Sequence, residues 1–263
     1  MKRKSLYSLQ KQKNKKKIIC LTAYTNSIAK IIDKHVDVIL IGDSLGTTIY
    51  GMKNTQEVSL NMMMNHGKAV LNSSKKAFTI IDMPFNSYRN KKEALKNAKK
   101  LLKFTKCQSV KIETNFKTLG IVSHLKKNNI SVISHIGVTP QKYKDFKKIR
   151  VTGKTKEEGQ MLLELAIQLE KAGSCMIFLE CIKESVAKEI TNKLNIPTIG
   201  IGASLDCDGQ ILVINDILNI ENLINLPRFV KIYANINKNI EEAVKKFSTD
   251  VLNKKFPKIK NTY

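Results

Sequence analysis

The sequence predicts an α/β fold, a single-domain (β/α)8 TIM barrel, and three observations support this class. Short apolar, β-branched segments alternate eight times with amphipathic helical segments, which is typical of a parallel sheet. Several apolar segments stop at an acid, as residues 36–44 do at Asp43, and barrel chemistry gathers at the carboxyl ends of the strands. The length of 263 residues fits one barrel of about 250 residues. A doubly wound open sheet is the structural alternative, because alternation alone does not close a sheet.

The predicted strands are runs of apolar and β-branched residues bounded by glycine, proline or polar residues. They are expected at residues 18–21, 36–44, 78–82, 109–113, 130–135, 175–180, 196–202 and 229–233. Residues 1–17 are polar and end in a basic run. We expect this leader to form a short helix that closes the bottom of the barrel, and the barrel domain to span residues 18–263.

Helices are predicted between the strands from capping residues and from apolar residues at helical spacing. Ser27 is expected to cap the first of these helices, and Ser59 to begin a methionine-rich one. Thr155 is expected to open a long helix that ends at Gly173. The remaining helices are expected at residues 91–104, 116–126, 184–194, 208–215 and 240–252. Residues 141–153 are polar and are expected to form a loop.

The net charge of +24 raises the question of a nucleic-acid partner. The basic excess is almost entirely lysine, and arginine occurs only at Arg3, Arg89, Arg150 and Arg228. Nucleic-acid sites favour arginine with interleaved aromatic residues, whereas tryptophan is absent here. We therefore expect a solvated lysine coat, with no specific nucleic acid bound. A basic nucleic-acid-binding protein remains the non-enzymatic alternative, supported by the charge alone.

Cysteine usage and hydropathy point to a cytoplasmic protein. The five cysteines are an odd number and lack zinc-type spacing, which suits a reducing compartment. The N-terminus lacks the apolar stretch of a signal peptide. The sequence also contains no apolar run near the roughly 20 residues that a membrane span requires.

Acidic residues end four of the predicted strands, at Asp43, Asp82, Glu113 and Glu180. Because the strands of a parallel barrel end at one mouth, we expect these carboxylates to lie close together. A single acid at a strand end is more often a helix cap or a loop contact. Four acids on separate strands instead favour a catalytic or metal-binding cluster.

Two basic side chains belong to the same predicted strand ends. Lys111 alternates with Val110 and Ile112, so its side chain is expected on the opposite face from theirs. It can contact a substrate there, or pair with a carboxylate inside the barrel. His135 ends the fifth predicted strand, and both a structural role and a substrate contact are open for it.

Nine short motifs resemble those of the ketopantoate hydroxymethyltransferase family, in order and in spacing. They are Leu21-Thr22-Ala23-Tyr24, Gly42-Asp43-Ser44-Leu45-Gly46, Asp82-Met83-Pro84-Phe85, Val110-Lys111-Ile112-Glu113, His135-Ile136-Gly137-Val138-Thr139-Pro140, Gly153-Lys154-Thr155, Leu179-Glu180-Cys181, Gly200-Ile201-Gly202-Ala203 and Cys207-Asp208-Gly209-Gln210. Each motif alone is weak, but the ordered set is specific. The resemblance runs from about residue 18 to residue 257.

This resemblance implies a (β/α)8 barrel that is commonly a homodecamer in bacteria. It implies transfer of a hydroxymethyl group from 5,10-methylenetetrahydrofolate to 3-methyl-2-oxobutanoate, forming 2-dehydropantoate. That reaction opens pantothenate biosynthesis and hence the coenzyme A pathway. The cofactor implied is one Mg2+ per subunit, with the folate as co-substrate.

Individual residues also take roles from the resemblance. Asp43 and Asp82 would be the metal ligands, and Glu113 would complete the magnesium site. Ser44 and Lys111 would bind the keto acid together with both aspartates. Glu180 would be the proton acceptor.

Physical chemistry agrees with these roles. Removing the weakly acidic C3 hydrogen of the keto acid leaves an enolate, which a hard cation on the keto oxygen stabilises. Magnesium prefers oxygen ligands, and the absence of His and Cys from the implied set argues against zinc. The enolate carbon would then attack the folate methylene. The alternative enzyme is a related magnesium barrel that makes or breaks C–C or P–C bonds in small 2-oxo acids without folate.

The sequence departs from the family pattern at five loop or strand positions. Glycines are usual in the family at four of these positions and an aspartate at the fifth. The residues present here are Thr114, Asn115, Ser134 and Ser204 in place of glycine, and Thr25 in place of aspartate. None is an implied metal ligand or base, so we expect effects on loop conformation, folate affinity and turnover rather than on the reaction type.

Overall fold

The computed structural model describes residues 3–145, 149–221 and 226–263. Residues 1 and 2 of the predicted leader and residues 146–148 of the predicted loop therefore lie outside the described residues. The chain divides into two compact units, Met1–Val213 and Ile214–Tyr263.

The first unit contains a closed barrel of eight parallel strands. Each strand pairs with the next along the chain, and the eighth pairs with the first. The strands are β1 Ile18–Thr22, β2 Val38–Ile41, β3 Phe78–Asp82, β4 Ser109–Glu113, β5 Val132–Gly137, β6 Met176–Glu180, β7 Thr198–Ile201 and β8 Gly209–Leu212. The closed order confirms the predicted barrel and excludes the open sheet.

The prediction of the eighth strand at residues 229–233 was wrong. Those residues form no strand and belong to the second unit, whereas β8 lies at Gly209–Leu212, where a helix was predicted. This strand has only four residues and begins with glycine, so its sequence carries little strand signal. Gly209 is required by close packing, because a Cβ there would lie 2.4 Å from the carbonyl oxygen of Ile18 on β1.

Helices follow most strands, as predicted. They are α1 Leu6–Gln10, α2 Asn26–Ile32, α3 Leu45–Thr48, α4 Leu60–Ser73, α5 Lys91–Thr105, α6 Leu119–Lys127, α7 Lys156–Ala172, α8 Glu184–Lys193, α9 Ile214–Ile217 and α10 Ile236–Leu252. Ser59 caps α4 and Thr155 caps α7, as expected, and Gly173 ends α7 with φ of 103°. The predicted cap at Ser27 was wrong, because Thr25 caps α2.

The leader packs against the amino-terminal ends of the strands. Leu9 of α1 is fully buried in one hydrophobic cluster with the first residues of several strands, including Ile18, Val38, Phe78 and Met176. Lys13 Nζ lies 2.8 Å from Asp208 Oδ2, and both side chains are buried. These contacts place α1 at the end of the barrel away from the strand-end acids.

Asp33 follows α2 and fixes the segment that leads into β3. Its carboxylate accepts hydrogen bonds from Ser74 Oγ at 2.7 Å and from the backbone nitrogens of Lys75, Lys76 and Ala77 at 2.8, 2.8 and 2.9 Å. Burial acts to raise the pKa of Asp33, but these hydrogen bonds, the one from Ala77 foremost, outweigh it. They hold the pKa below its ordinary value.

Replacing Asp33 by Asn is expected to lower the free energy of unfolding by about 2 kcal/mol near neutral pH, because one acceptor oxygen then faces four donors. The folded-state pKa lies below the unfolded value of about 3.9, so the carboxylate stabilises the fold above that pH. This contribution is lost as the pH falls through the folded-state pKa. Urea unfolding of Asp33→Asn against exposed Asp250→Asn, near neutral pH and in acid, checks both points. A difference in the free energy of unfolding between the two variants that grows in acid would contradict this role of Asp33.

The second unit contains α9 and α10. The long helix α10 buries none of its residues. Ile240, Val244, Phe247 and Val251 follow one another at helical spacing along one face, and all four are exposed. Among the described residues, no helix combines the length and the apolar character needed to cross a bilayer.

Candidate active site

Strand register brings the predicted site residues to one mouth of the barrel. Asp82 at the end of β3 pairs with Lys111 on β4. Glu113 at the end of β4 pairs with His135 on β5. Glu180 ends β6 beside Gly137 of β5. Asp43 follows β2 after Gly42, so its side chain reaches the same rim.

Asp43, Asp82 and Lys111 form a buried charged cluster, each less than a tenth exposed. The backbone nitrogen of Asp43 donates to Asp82 Oδ2 at 3.0 Å, and Lys111 Nζ lies 3.1 Å from Asp82 Oδ1. Burial raises the pKa of Asp82 to about 7, although Lys111 opposes that rise. Burial likewise raises the pKa of Asp43. Lys111 is therefore paired with a carboxylate inside the barrel.

The charge of Lys111 is itself stabilised by this cluster. Burial acts to lower the pKa of Lys111, but the nearby carboxylates of Asp82, Asp43 and Glu113 outweigh burial and raise it. Its ammonium also lies 5.9 Å from the ring centre of Phe178. A fixed cation at this position can attract the carboxylate or keto oxygen of a 2-oxo acid.

Glu113 is the third buried carboxylate of the mouth. Its Oε1 accepts a hydrogen bond from the backbone nitrogen of Gln141 at 3.0 Å. Burial raises the pKa of Glu113 well above its usual range, and the charge of Asp43 adds to the rise. Within the described ranges, the three acids do not form a closed cage, since no group of three His, Cys, Asp or Glu side chains is close enough to hold a metal unaided.

His135 connects the lysine to Glu180. Lys111 Nζ lies 3.4 Å from His135 Nδ1, and His135 Nε2 lies 3.2 Å from Glu180 Oε2. Burial lowers the pKa of His135, and the charge of Lys111 lowers it further. A neutral ring that accepts at Nδ1 and carries its proton at Nε2 suits the charges of both neighbours, although Nε2 and Glu180 are not aligned as a hydrogen bond. The Glu180 side chain is 19% exposed, so it faces the open space of the mouth.

Ser44 lies at the rim next to Asp43. Its Oγ forms a hydrogen bond with the hydroxyl of Tyr24 at 2.7 Å, and the residue is half-buried. Gly42 keeps the space beside it open. A Cβ at Gly42 would lie 2.9 Å from Ser44 Oγ and 3.6 Å from Asp82 Oδ2. Room for a small ligand between the serine and the aspartates therefore depends on this glycine.

Comparison with known proteins decides the family. The family model described as ketopantoate hydroxymethyltransferase matches residues 3–259. A protein of Pelagibacter ubique named 3-methyl-2-oxobutanoate hydroxymethyltransferase is 47% identical over 260 residues, covering 99% of each chain. A protein of that name from Anaplasma marginale is 41% identical, covering 98% of this chain and 93% of its own. The chain belongs to the ketopantoate hydroxymethyltransferase family. It is therefore an enzyme of the transferase class.

Solved structures outside the ketopantoate hydroxymethyltransferase family share its fold. Phosphonopyruvate hydrolase, solved in complex with oxalate and Mg++, matches with a TM-score of 0.62 at 10% identity, covering 97% of this chain and 92% of its own. A 2,3-dimethylmalate lyase of the PEP mutase/isocitrate lyase superfamily matches with a TM-score of 0.58 at 14% identity, covering 79% and 77%. At such identity the likeness shows the barrel fold alone.

Two departures from the ketopantoate hydroxymethyltransferase pattern cap helices. Thr25 Oγ1 accepts a hydrogen bond from the backbone nitrogen of Ile28 at 3.4 Å and so begins α2. Asn115 Oδ1 accepts from the backbone nitrogen of Lys117 at 2.8 Å and begins a short 3-10 helix, Phe116–Thr118. Asn115 thus supplies a side-chain acceptor that glycine lacks, whereas Thr25 keeps the capping function that an aspartate can also perform.

The other departures lie in or beside strands. Thr114 Oγ1 donates to the carbonyl oxygen of His135 at 2.9 Å and so ties β4 to β5. Ser204 Oγ donates to Glu184 Oε1 at 2.9 Å, which ties the loop after β7 to α8. Ser134 is fully buried in β5, and nothing in the structure explains its hydroxyl.

Sequence reasoning missed Gln141, which lies at the start of the predicted loop, in a 3-10 helix, Pro140–Lys142. Its Nε2 donates to Asp43 Oδ2 at 2.7 Å and to the carbonyl oxygen of Met83 at 3.1 Å. The residue is buried. The available signal was its position just after β5 and the Thr139-Pro140 turn, at the mouth that holds the acids.

Proposed function

We propose that the protein transfers a hydroxymethyl group from 5,10-methylenetetrahydrofolate to 3-methyl-2-oxobutanoate and so forms 2-dehydropantoate for pantothenate biosynthesis. Family membership supports the reaction class. The observation that carries the chemistry is one mouth holding both a buried carboxylate cluster and a separate, partly open carboxylate, Glu180. Water supplies the new hydroxyl oxygen, and tetrahydrofolate is the second product.

The residues at the mouth fit a magnesium ion. Asp43 and Asp82 would hold it, with Glu113 completing the site, since Mg2+ prefers a few carboxylate oxygens and keeps places for water or substrate. Asp82 Oδ1 is buried, and its partner among the residues described is Lys111 Nζ at 3.1 Å, which is not aligned as a hydrogen bond, so this oxygen keeps the capacity to bind a cation. When bound, Mg2+ would supply a positive charge for the negative charge that develops on the keto oxygen. The Mg++ and oxalate of the phosphonopyruvate hydrolase structure support the same ligand class here.

Different side chains at the mouth bind the keto acid, remove its proton and orient the base. Ser44 and Lys111, with the two aspartates, hold the keto acid so that its C3 hydrogen faces Glu180. Glu180 takes that proton, and the C3 carbon bonds to the folate methylene carbon in place of one folate nitrogen. A water oxygen replaces the other folate nitrogen, and the two nitrogens take up the proton from C3 and one proton from the water. Neutral His135, 3.2 Å from Glu180 Oε2, keeps the accepting carboxylate turned toward the mouth.

The direct test is a turnover assay of the purified protein with each component omitted in turn. We expect 2-dehydropantoate to form only with keto acid, methylene-folate and Mg2+ together, and chelation followed by Mg2+ to abolish and restore it. The second candidate function is a folate-independent magnesium lyase or mutase of 2-oxo acids, which the fold neighbours favour. Turnover of phosphonopyruvate or 2,3-dimethylmalate without folate, and none of the transfer, would establish that alternative instead.

The protein is a homo-oligomer in this proposal, a homodecamer by family resemblance. Light scattering should give about ten times the chain mass of 29.7 kDa, and a monomer would contradict this oligomeric state.

We place the protein in the cytoplasm, since its five cysteines are all free thiols. Residues 1–17 are a leader to a catalytic domain of residues 18–263.

A further inference from the structure

Gln141 contacts two of the proposed metal ligands at once. Its side-chain Nε2 donates to Asp43 Oδ2 at 2.7 Å, and its backbone nitrogen donates to Glu113 Oε1 at 3.0 Å. Each carboxylate therefore has one oxygen engaged by Gln141. The other oxygen, Asp43 Oδ1 or Glu113 Oε2, receives no hydrogen bond from the part of the chain that the structure describes.

The side-chain amide of Gln141 has one possible orientation. Its Nε2 uses both hydrogens, one on Asp43 and one on the carbonyl oxygen of Met83 at 3.1 Å. Its Oε1 accepts a hydrogen bond from the hydroxyl of Tyr88. If the amide were flipped, its Oε1 would face two other acceptors, the carboxylate of Asp43 and the carbonyl oxygen of Met83. The hydrogen bonds therefore require Nε2, the donor, to face Asp43.

The backbone around Gln141 is held as well. Its carbonyl oxygen accepts from Gln56 Nε2 at 2.9 Å. Two residues before Gln56, the side chain of Asn54 donates to the carbonyl oxygen of Lys144 at 3.2 Å. The loop after α3 and the loop after β5 are thereby joined above the acids. Gln141 is the residue that links these two hydrogen-bonded loops to Asp43 and Glu113.

We propose that Gln141 is a positioning residue, which turns one oxygen of Asp43 and one of Glu113 toward the cation. This inference rests on the proposed magnesium site. Buried carboxylates of like charge repel one another and would otherwise turn apart or become protonated. Two hydrogen bonds from one rigid residue hold them in place before any ligand arrives, and such supporting contacts typically change metal affinity by about 10- to 100-fold.

The test is Mg2+ affinity measured by calorimetry in the presence of 3-methyl-2-oxobutanoate, without folate and so without turnover. Gln141→Ala is expected to weaken Mg2+ binding about 10- to 100-fold. In turnover assays it should raise the Mg2+ concentration for half-maximal rate by a similar factor, and most of kcat should return at saturating Mg2+. Tyr88→Phe, which frees the amide to flip, is expected to shift affinity in the same direction by less.

Gln108→Ala is the matched control. This glutamine also uses both ends of its amide, donating to the carbonyl oxygen of Lys4 and accepting from the backbone of Thr79, but at the other end of the barrel. It should lower thermal stability without changing Mg2+ affinity. Equal Mg2+ affinity in folded Gln141→Ala and wild type would overturn the inference while leaving the proposed function intact. Wild-type protein that binds no Mg2+ with the keto acid would overturn both.

Discussion

Replacing Glu180 by Gln is expected to slow exchange of the C3 hydrogen of 3-methyl-2-oxobutanoate with D2O by about 10³-fold, because general bases contribute roughly 10²- to 10⁴-fold. The amide keeps the size of the side chain and its place beside His135 but cannot accept the proton. Exchange needs no folate, so it isolates proton removal from the later carbon–carbon bond formation. Proton NMR of the keto acid with Mg2+ in D2O gives the rate.

Binding should change much less than the rate in Glu180→Gln. We expect the keto acid to bind within about tenfold of wild type, since the bulk of its contacts would be with the cluster on β2, β3 and β4. Glu189→Gln, on the exposed side of α8, is the control and should exchange at the wild-type rate. Undiminished exchange by Glu180→Gln would remove Glu180 as the base and would require another proton acceptor at the mouth.

Asp82→Asn is expected to lower turnover about as much as Glu180→Gln lowers proton exchange, because it weakens binding of the cation. The change removes one of two carboxylates proposed to hold Mg2+ and also leaves Lys111 without its charged partner 3.1 Å away. We expect loss of at least about 10³-fold in turnover, corresponding to several kcal/mol of transition-state charge stabilisation. Calorimetric titration of Mg2+ with the keto acid should show no binding in the range where wild type saturates.

The control for that experiment is an aspartate in a surface ion pair. Asp206 lies 3.0 Å from Lys188, with the lysine side chain about half exposed and the aspartate side chain one third exposed, and such surface pairs contribute about 0–1 kcal/mol. Asp206→Asn should therefore keep wild-type turnover and Mg2+ affinity. Full activity in Asp82→Asn would show that the cation, if needed at all, is held elsewhere.

The strand-end acids could be predicted from the sequence because period-two alternation and strand ends are local properties. Val110-Lys111-Ile112 already implied that the lysine lies on the other face, and the structure adds Asp82 as its partner. Helix starts were less reliable, since Thr25 and Ser27 are both good caps and only the backbone path selects Thr25.

Contacts made across the barrel could not be predicted. The strand Gly209–Leu212 exists because β1 and β7 flank it and pair with it, and its own residues carry little strand preference. Gln141 follows the same logic. Its position after β5 placed it at the mouth, but the local sequence does not show that its side chain reaches Asp43 after β2 or that its backbone reaches Glu113 on β4. That convergence arises only when the barrel closes.

In the proposed mechanism, the carboxylates at the carboxyl ends of β2, β3 and β4 hold one cation that presents the keto acid to Glu180. A crystal structure of the protein with Mg2+ and 3-methyl-2-oxobutanoate tests it most directly. We expect one cation on Asp43 and Asp82, with the keto acid oxygens on the same ion and the C3 carbon facing the Glu180 carboxylate. A cation bound away from these aspartates, or a keto acid whose C3 lies beyond the reach of Glu180, would contradict it.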